Sequence, residues 1–237
     1  MSEVLEKDEI DALLNGVQSG AVDTSQKPAA EPGAVTQYDF STQARIVRGR
    51  MPTLDMINER LARALRLSVF GMLKRPLEIA VLGITTQKYG DYLPTLAVPT
   101  SMNLVRFQPL AGTGLIAFEA RLVYALIDNY FGGSGRNTKI EGRDFTATEN
   151  HIIQMLLTQV LAGVEEAWAP VLPARVEYLS RENNPQFSNL ASPTEVVVVS
   201  RLRLDFDGRG GEIHITLPYA MLEPLKEEQS DVERSLN

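Results

Sequence analysis

The chain has 237 residues, of which 44% are apolar, so it is long enough for one large domain or two small ones. The absence of cysteine excludes disulfides and a cysteine nucleophile, and the two histidines, His151 and His214, leave little for a zinc site or a Ser–His pair. The net charge of −7 is concentrated at the ends, with seven acids against two bases in residues 1–37 and five against two in residues 223–237, which argues against nucleic acid as a partner.

Residues 1–17 predict a short amphipathic helix. Its apolar stripe has helical spacing and consists of Ile10, Leu13, Leu14 and Val17; the acids beside the stripe are Asp8, Glu9 and Asp11. A helix this short is marginal in water, so we predict a peptide that places apolar anchors in a groove of a separate partner. Its acids favour a partner with a basic rim around that groove. The alternative is that residues 1–17 dock on the chain's own domain.

Residues 18–37 predict a flexible, disordered linker. This stretch is rich in glycine, serine, proline and alanine and has almost no large apolar side chain. It cannot bury enough surface to offset the entropy lost on ordering. A long flexible tether is a poor way to hold a domain's own helix, which favours the separate partner for residues 1–17.

Residues 38–226 contain an internal repeat. The sequence LAVPT at 96–100 recurs as LASPT at 190–194, and the same elements surround each copy. The predicted elements in chain order are a helix over 53–74, strands over 77–86, 102–107 and 115–119, a helix over 122–131, a helix over 146–168, strands over 175–179, 195–206 and 212–217, and a closing helix near Tyr219.

Two halves with one order of elements predict a single duplicated domain of the α/β class. We expect pseudo-two-fold symmetry, antiparallel pairing of strands joined by tight turns, and three layers, α/β/α, with the long helices covering the sheet. The run 196–199 is four consecutive valines and is apolar on both faces, so its strand should be central. The acidic residues 227–237 predict a solvated tail.

A glycine-rich loop follows the helix predicted over 122–131. The loop and its flanking residues are Tyr130, Phe131, Gly132, Gly133, Ser134, Gly135 and Arg136. Because the loop follows a helix C-terminus, where unpaired carbonyls repel anions, it does not fit a phosphate site. One interpretation is a helix cap with a mobile turn. The other is a contact loop, since glycines permit close backbone approach and the flanking residue types are enriched at interfaces.

The remaining conspicuous side chains are predicted to be structural. His214 lies in an alternating strand and is expected to be half-exposed, and His151 lies on the surface near a helix start. Trp168 ends a long helix and is expected in the core. No apolar run approaches the roughly 20 residues that span a membrane, and the acidic N-terminus lacks the features of a signal peptide, so we expect a cytoplasmic protein.

Two of these motifs resemble the bacterial flagellar motor switch family FliM. Residues 5–15, LEKDEIDALLN, resemble its N-terminal peptide, and residues 132–135 resemble its GGxG loop, in the same order along the chain. The resemblance covers essentially the whole chain and implies no cofactor, metal or catalytic residue. It implies that Asp8, Glu9, Ile10, Asp11, Leu13 and Leu14 bind the phosphorylated chemotaxis regulator CheY, and that residues 130–136 bind the rotor protein FliG.

The same resemblance implies a ring in which the two long helices contact neighbouring copies, at the flagellar basal body on the inner face of the cell membrane. One departure concerns the C-terminal end. The family continues into a strand-rich domain related to FliN, whereas this chain ends at Asn237. Either this sequence is a piece of a longer chain or that domain is absent, and contacts of these 237 residues with FliN are then expected to be lost.

The middle of the chain also resembles the CheC/CheX phosphatases, which gives a rival hypothesis of an enzyme acting on CheY. Those enzymes carry Asp/Ser-x3-Glu-x2-Asn on a long helix, and the amide orients the attacking water. Here the first helix has Asp55, Glu59 and Ala62 at this spacing, and alanine cannot bond water. The second helix has Thr146 and Asn150 but lacks the glutamate. We therefore predict the phosphatase-like fold without its catalytic pair.

Overall fold

The computed structural model describes residues 51–133, 142–185, 188 and 190–223. The chain divides into two units, Met1–Ala44 and Arg45–Asn237, and every described residue belongs to the second unit. The predicted peptide at 1–17, the linker at 18–37 and the tail at 227–237 lie outside the described residues.

The helices and strands follow the predicted order. They are α1 (Pro52–Leu73), β1 (Glu78–Lys88), α2 (Tyr89–Tyr92), β2 (Thr100–Gln108), β3 (Thr113–Glu119), α3 (Ala120–Tyr130), α4 (Ala147–Trp168), β4 (Arg175–Glu182), β5 (Val196–Asp205) and β6 (Gly210–Pro218). A 3-10 turn, Leu93–Thr95, follows α2, and residues 219–223 are helical. The short helix α2 was not predicted, and α3 begins two residues before its predicted start.

One antiparallel sheet contains all six strands in the order β1-β5-β6-β3-β2-β4. Exchanging β1, β2 and β3 with β4, β5 and β6 gives the same order counted from the opposite edge of the sheet, which confirms the pseudo-two-fold duplication. The first strand of each half pairs with the second strand of the other half, and β3 pairs with β6 at the centre. The halves are therefore interleaved, and β5 is an inner strand as predicted.

The two long helices are matched in length but begin differently. Each has 22 residues. Pro52 occupies the first turn of α1, where its missing N–H costs no hydrogen bond. A capping box starts α4: the Thr146 N–H donates to the Glu149 carboxylate over 2.6 Å, and the Glu149 N–H donates to the Thr146 hydroxyl over 3.3 Å. Such a cap stabilises a helix by about 1 kcal/mol.

The main core lies between the helices and one face of the sheet. From α1 it takes a stripe with helical spacing, which consists of Leu54, Ile57, Leu61, Leu65, Val69 and Leu73. This stripe packs on α4, whose Trp168 is buried as predicted and lies edge-on to Phe107 of β2. Removing a core leucine such as Leu61 should cost about 2–5 kcal/mol.

A second, smaller core covers the opposite face of the sheet. Tyr89 and Tyr92 of α2 are almost fully buried there, and the cluster is completed by Leu96, Met102, Leu115, Ala117, Val197 and Val199. The sheet thus has long helices on one face and a short helical segment on the other, which confirms the three-layer prediction. The described glycines of the loop, Gly132 and Gly133, follow α3, on the side of the long helices.

Candidate partner-binding site

A glycine turn ends α3. Gly132 has φ +81°, in the left-handed region that glycine tolerates best. Its N–H donates to the Asn129 carbonyl over 3.1 Å, and the Gly133 N–H donates to the Asp128 carbonyl over 2.8 Å. These two bonds form the Schellman cap of a helix C-terminus. The helix-cap interpretation of Gly132 is therefore confirmed.

Two exposed aromatic rings stand beside this turn. Tyr130 is 40% exposed and Phe131 is 65% exposed. Their ring centroids are 5.5 Å apart with an interplanar angle of 88°, an edge-to-face arrangement. The pair therefore presents an apolar surface to solvent. Adjacent exposed aromatic rings on an ordered turn are typical of a protein-binding site.

The two glycines of the turn differ in the space that a side chain would meet. A Cβ atom at Gly133 would overlap the carboxylate of Asp128. At Gly132 there is open space, but the positive φ would strain any L residue. Backbone conformation thus selects glycine at position 132, whereas a side chain at position 133 requires the carboxylate end of Asp128 to move.

An arginine from a distant part of the chain binds the same turn. Arg75, which precedes β1, donates to the Gly132 carbonyl over 3.2 Å and to the Asn129 side-chain oxygen over 3.3 Å. The Asn129 amide in turn donates to the Ala125 carbonyl over 2.7 Å. Arg75 and Asn129 were not among the predicted site residues, because a contact across 57 residues leaves no local signal.

An open groove adjoins the turn on the side of Arg75. Its volume is about 850 Å³. The lining residues are Arg75, Pro76, Leu77, Glu78, Asn129, Asp205, Phe206, Asp207 and Gly208. The groove and the turn share Arg75 and Asn129, which line the one and bond within the other.

A family model for the flagellar motor switch protein FliM matches residues 47–232. The chain belongs to the FliM family. It is 51% identical to the FliM of Pseudomonas aeruginosa over 227 residues, which cover 96% of this chain and 70% of that protein.

Two solved structures share the fold. The crystal structure of the FliM middle domain from Vibrio alginolyticus is 49% identical, with a TM-score of 0.69, and the match covers 74% of this chain and 99% of that one. A FliG–FliM complex from H. pylori matches with a TM-score of 0.69 at 23% identity, over 75% of this chain and 98% of that one. The duplicated domain described above is thus the FliM middle-domain fold.

The predicted site residues of this FliM-family chain are only partly within the described range. Tyr130, Phe131, Gly132 and Gly133 are described and form one contiguous surface. Outside the described residues lie Ser134, Gly135 and Arg136 of the loop, together with Asp8, Glu9, Ile10, Asp11, Leu13 and Leu14 of the peptide.

The phosphatase-like positions lie on α1, away from the glycine turn in sequence. Asp55 and Glu59 are exposed, whereas Ala62 is buried in the core. On α4, the Asn150 amide donates to the Phe145 carbonyl over 3.0 Å. The position that would orient a water thus carries a buried methyl group in this FliM-family domain.

A second exposed apolar surface lies on α1. Leu67 is 76% exposed, and Met56 and Phe70 are also exposed. Beside Leu67, a groove of about 290 Å³ runs between α1 and α4 and is lined by Arg60, Arg63, Ala64, Leu67, Glu166 and Ala167. Within the part of the chain that the structure describes, neither α1 nor any other helix is long and apolar enough to cross a membrane.

The prediction that His214 is half-exposed was wrong. This side chain is 6% exposed because α2 covers it, and α2 was not predicted. Glu212 can only accept, so the His214 Nε2–H donates to its carboxylate over 3.1 Å, and the Tyr92 hydroxyl donates to Nδ1 over 3.1 Å. Burial lowers the pKa of His214, and the neighbouring Glu212 opposes this shift.

One cluster of possible metal ligands includes this histidine. Glu119, Glu212 and His214 each offer a ligand atom, and these atoms lie within 4.8 Å of one another. The Glu119 carboxylate accepts from the Glu212 N–H over 2.9 Å, and both nitrogens of His214 are already hydrogen-bonded. Among the described residues, this cluster acts as a hydrogen-bonded network between β6, β3 and α2.

Proposed function

We propose that this chain is a component of the flagellar motor switch that binds FliG through the turn after α3. The carrying observation is the exposed pair Tyr130–Phe131, mounted on a capped glycine turn. Rings already held in one arrangement lose little conformational entropy on binding, which favours affinity. The fold of a FliG–FliM complex from H. pylori adds support for a partner of this type.

The test is a titration of the full chain with its cognate FliG. Replacing Tyr130 with alanine should weaken binding about 10-fold or more, the range for losing an aromatic anchor. Tyr178 on β4 is the matched control because it is also 40% exposed and is remote from the turn in sequence. Equal affinity of the Tyr130→Ala and Tyr178→Ala variants would contradict the proposal.

We further propose that residues 1–17 capture the phosphorylated regulator CheY. The support is the stripe of Ile10, Leu13 and Leu14 flanked by acids, together with membership of the FliM family. In a titration of the peptide with activated CheY, Leu14→Ala should cost about 1–3 kcal/mol of binding free energy. A longer peptide carrying Val22→Ala in the linker should bind like its parent. Unchanged binding of Leu14→Ala would exclude the groove model.

We also propose that neighbouring copies contact one another through the exposed face of α1, in a ring at the cytoplasmic side of the flagellar basal body. Leu67, Phe70 and Met56 supply apolar surface on that face. Sedimentation of the full chain should show weak, concentration-dependent association that Leu67→Glu abolishes.

We assign the domain no catalytic step, since Ala62 offers no group to orient water. A phosphate-release assay with phosphorylated CheY tests this assignment.

A further inference from the structure

We propose that Arg75 is a positioning residue that sets the orientation of the glycine turn by bonding it to the end of α1. This inference rests on the proposed function of the turn as the FliG site. Two nitrogens of one guanidinium hold two acceptors, the Gly132 carbonyl and the Asn129 side-chain oxygen, at 3.2 and 3.3 Å. The planar fork of arginine suits such paired contacts, and a lysine could not reproduce both at once.

The turn needs this contact because α3 lacks its own C-terminal charge. All residues of α3 are described, and its last turn contains no basic residue. The unpaired carbonyls at a helix C-terminus favour a nearby cation, and Arg75 supplies one from outside the helix. Gly132 itself has no side chain to restrain the following backbone. The guanidinium therefore fixes the carbonyl at which the chain leaves α3.

Arg75 is itself held in place by its neighbours in sequence. Lys74 before it is in the left-handed conformation, with φ 53°, and its N–H donates to the Phe70 carbonyl over 2.8 Å. Pro76 after it restricts the backbone on the other side. The direction of the Arg75 side chain is thus set by the end of α1.

This arrangement connects two surfaces of the domain. Phe70, which accepts the bond that caps α1, is also one of the exposed apolar residues on that helix. A displacement of the last turn of α1 would move Arg75, and with it the Gly132 carbonyl and the adjacent aromatic pair. Contacts made by the end of α1 would in this way bias the orientation in which the turn meets its partner.

The test uses Arg75→Met, which keeps an unbranched side chain but removes both hydrogen bonds, in the full chain. Arg66→Met is the matched control because Arg66 of α1 also makes a tertiary bond to a backbone carbonyl, of 3.2 Å to Ile79 of β1, and does not contact the glycine turn through it. The first measurement is the amide NMR shifts of Gly132 and Gly133, and the second is affinity for FliG. We expect Arg75→Met to shift both amides and to weaken FliG binding about two- to tenfold. Arg75→Lys should recover part of each effect, and Arg66→Met should change neither.

The outcomes separate this inference from the proposed function. Unmoved Gly132 and Gly133 amides in Arg75→Met would overturn the positioning role, whatever FliG does. An equal loss of FliG affinity in Arg66→Met would also overturn the positioning role, because the effect would then not be specific to Arg75. If the amides move while FliG binding is insensitive to both Arg75→Met and Tyr130→Ala, the positioning role stands and the FliG assignment fails.

Discussion

Asn58 of α1 donates a hydrogen bond of 2.9 Å to the hydroxyl of Ser200 on β5, across 142 residues of sequence. Both side chains are buried within an apolar interface. The bond joins a helix of the first half to a strand of the second half. It therefore specifies where α1 sits on the sheet, in addition to stabilising the contact.

The first prediction is that Asn58→Ala lowers the free energy of unfolding by about 1–3 kcal/mol, since the change removes a buried bond and leaves a polar group unpaired. Ser200→Ala should cost a similar amount because it leaves the Asn58 amide without its acceptor. Chemical denaturation of both variants and of the double variant measures the coupling. Strictly additive losses would show that the two side chains do not depend on one another.

The second prediction concerns pH. The pKa of His214 is lowered by burial from its ordinary value of 6.5, and the charged and titratable groups that act on it are Glu212, Glu119, Arg201 and Tyr92. Between the lowered pKa and 6.5 the unfolded chain binds more protons than the folded one. The contribution of His214 to the free energy of unfolding is therefore complete above about pH 6.5. It is lost as the pH falls through the pKa of the folded state.

The measurement is urea denaturation from pH 7.5 to pH 5, with His214→Gln as the comparison. Glutamine retains polar groups near Tyr92 and Glu212 but does not titrate. The variant should be less stable at pH 7.5, and its stability should fall less between pH 7.5 and pH 5. Parallel pH profiles for the two proteins would mean that His214 does not carry the dependence.

Local patterns predicted most of the elements. The periodic apolar stripes of α1 and α4 placed both long helices to within a residue. The valine run at 196–199 correctly indicated an inner strand. Each of these features depends on neighbours within a few residues, so the sequence carries the signal directly.

The missed features depend on long-range contacts. The four residues of α2 are too few to show a period, and without α2 the burial of His214 had no visible cause. The pairing of β1 with β5 joins strands from different halves, and no short connecting turn between these strands indicates the pairing in the sequence. Arg75 reaches the glycine turn through the same tertiary arrangement. Tyr130 and Phe131 were predicted from the sequence because they adjoin the glycines, whereas the hydrogen bonds from Arg75 to the turn were not.

The third prediction contrasts two helical glycines. A Cβ at Gly163 of α4 would lie 3.1 Å from Leu61 Cδ1, whereas a Cβ at Gly71 of α1 would meet nothing within 4 Å. Gly71→Ala should therefore stabilise the domain by about 0.5–1 kcal/mol through helix propensity. Gly163→Ala should lose that gain to crowding, because Leu61 is buried and cannot move aside. Thermal unfolding of both variants tests this prediction. Equal stabilisation would show that the contact between α1 and α4 adjusts to admit the extra methyl group without cost.

The fourth prediction concerns the left-handed backbone conformation of Gly132. Because Gly132 has a positive φ and open space around it, Gly132→Ala should destabilise the domain by about 1–2 kcal/mol through backbone strain alone. Asparagine tolerates the left-handed region better, so Gly132→Asn should cost less. Gly133→Ala acts differently, since its methyl group must displace the carboxylate end of the Asp128 side chain rather than a backbone atom, so it should cost less stability than Gly132→Ala.

Denaturation and FliG titration of the three variants distinguish these mechanisms. Both substitutions at Gly132 leave the surface of the turn open, so their loss of FliG binding should follow their loss of stability. Gly132→Asn should therefore retain more FliG binding than Gly132→Ala. Gly133→Ala should weaken FliG binding more than its loss of stability accounts for, because the added methyl group and the displaced Asp128 carboxylate change the surface of the turn beside Tyr130. If Gly132→Asn and Gly132→Ala are equally destabilising, backbone conformation is not what selects glycine at this position.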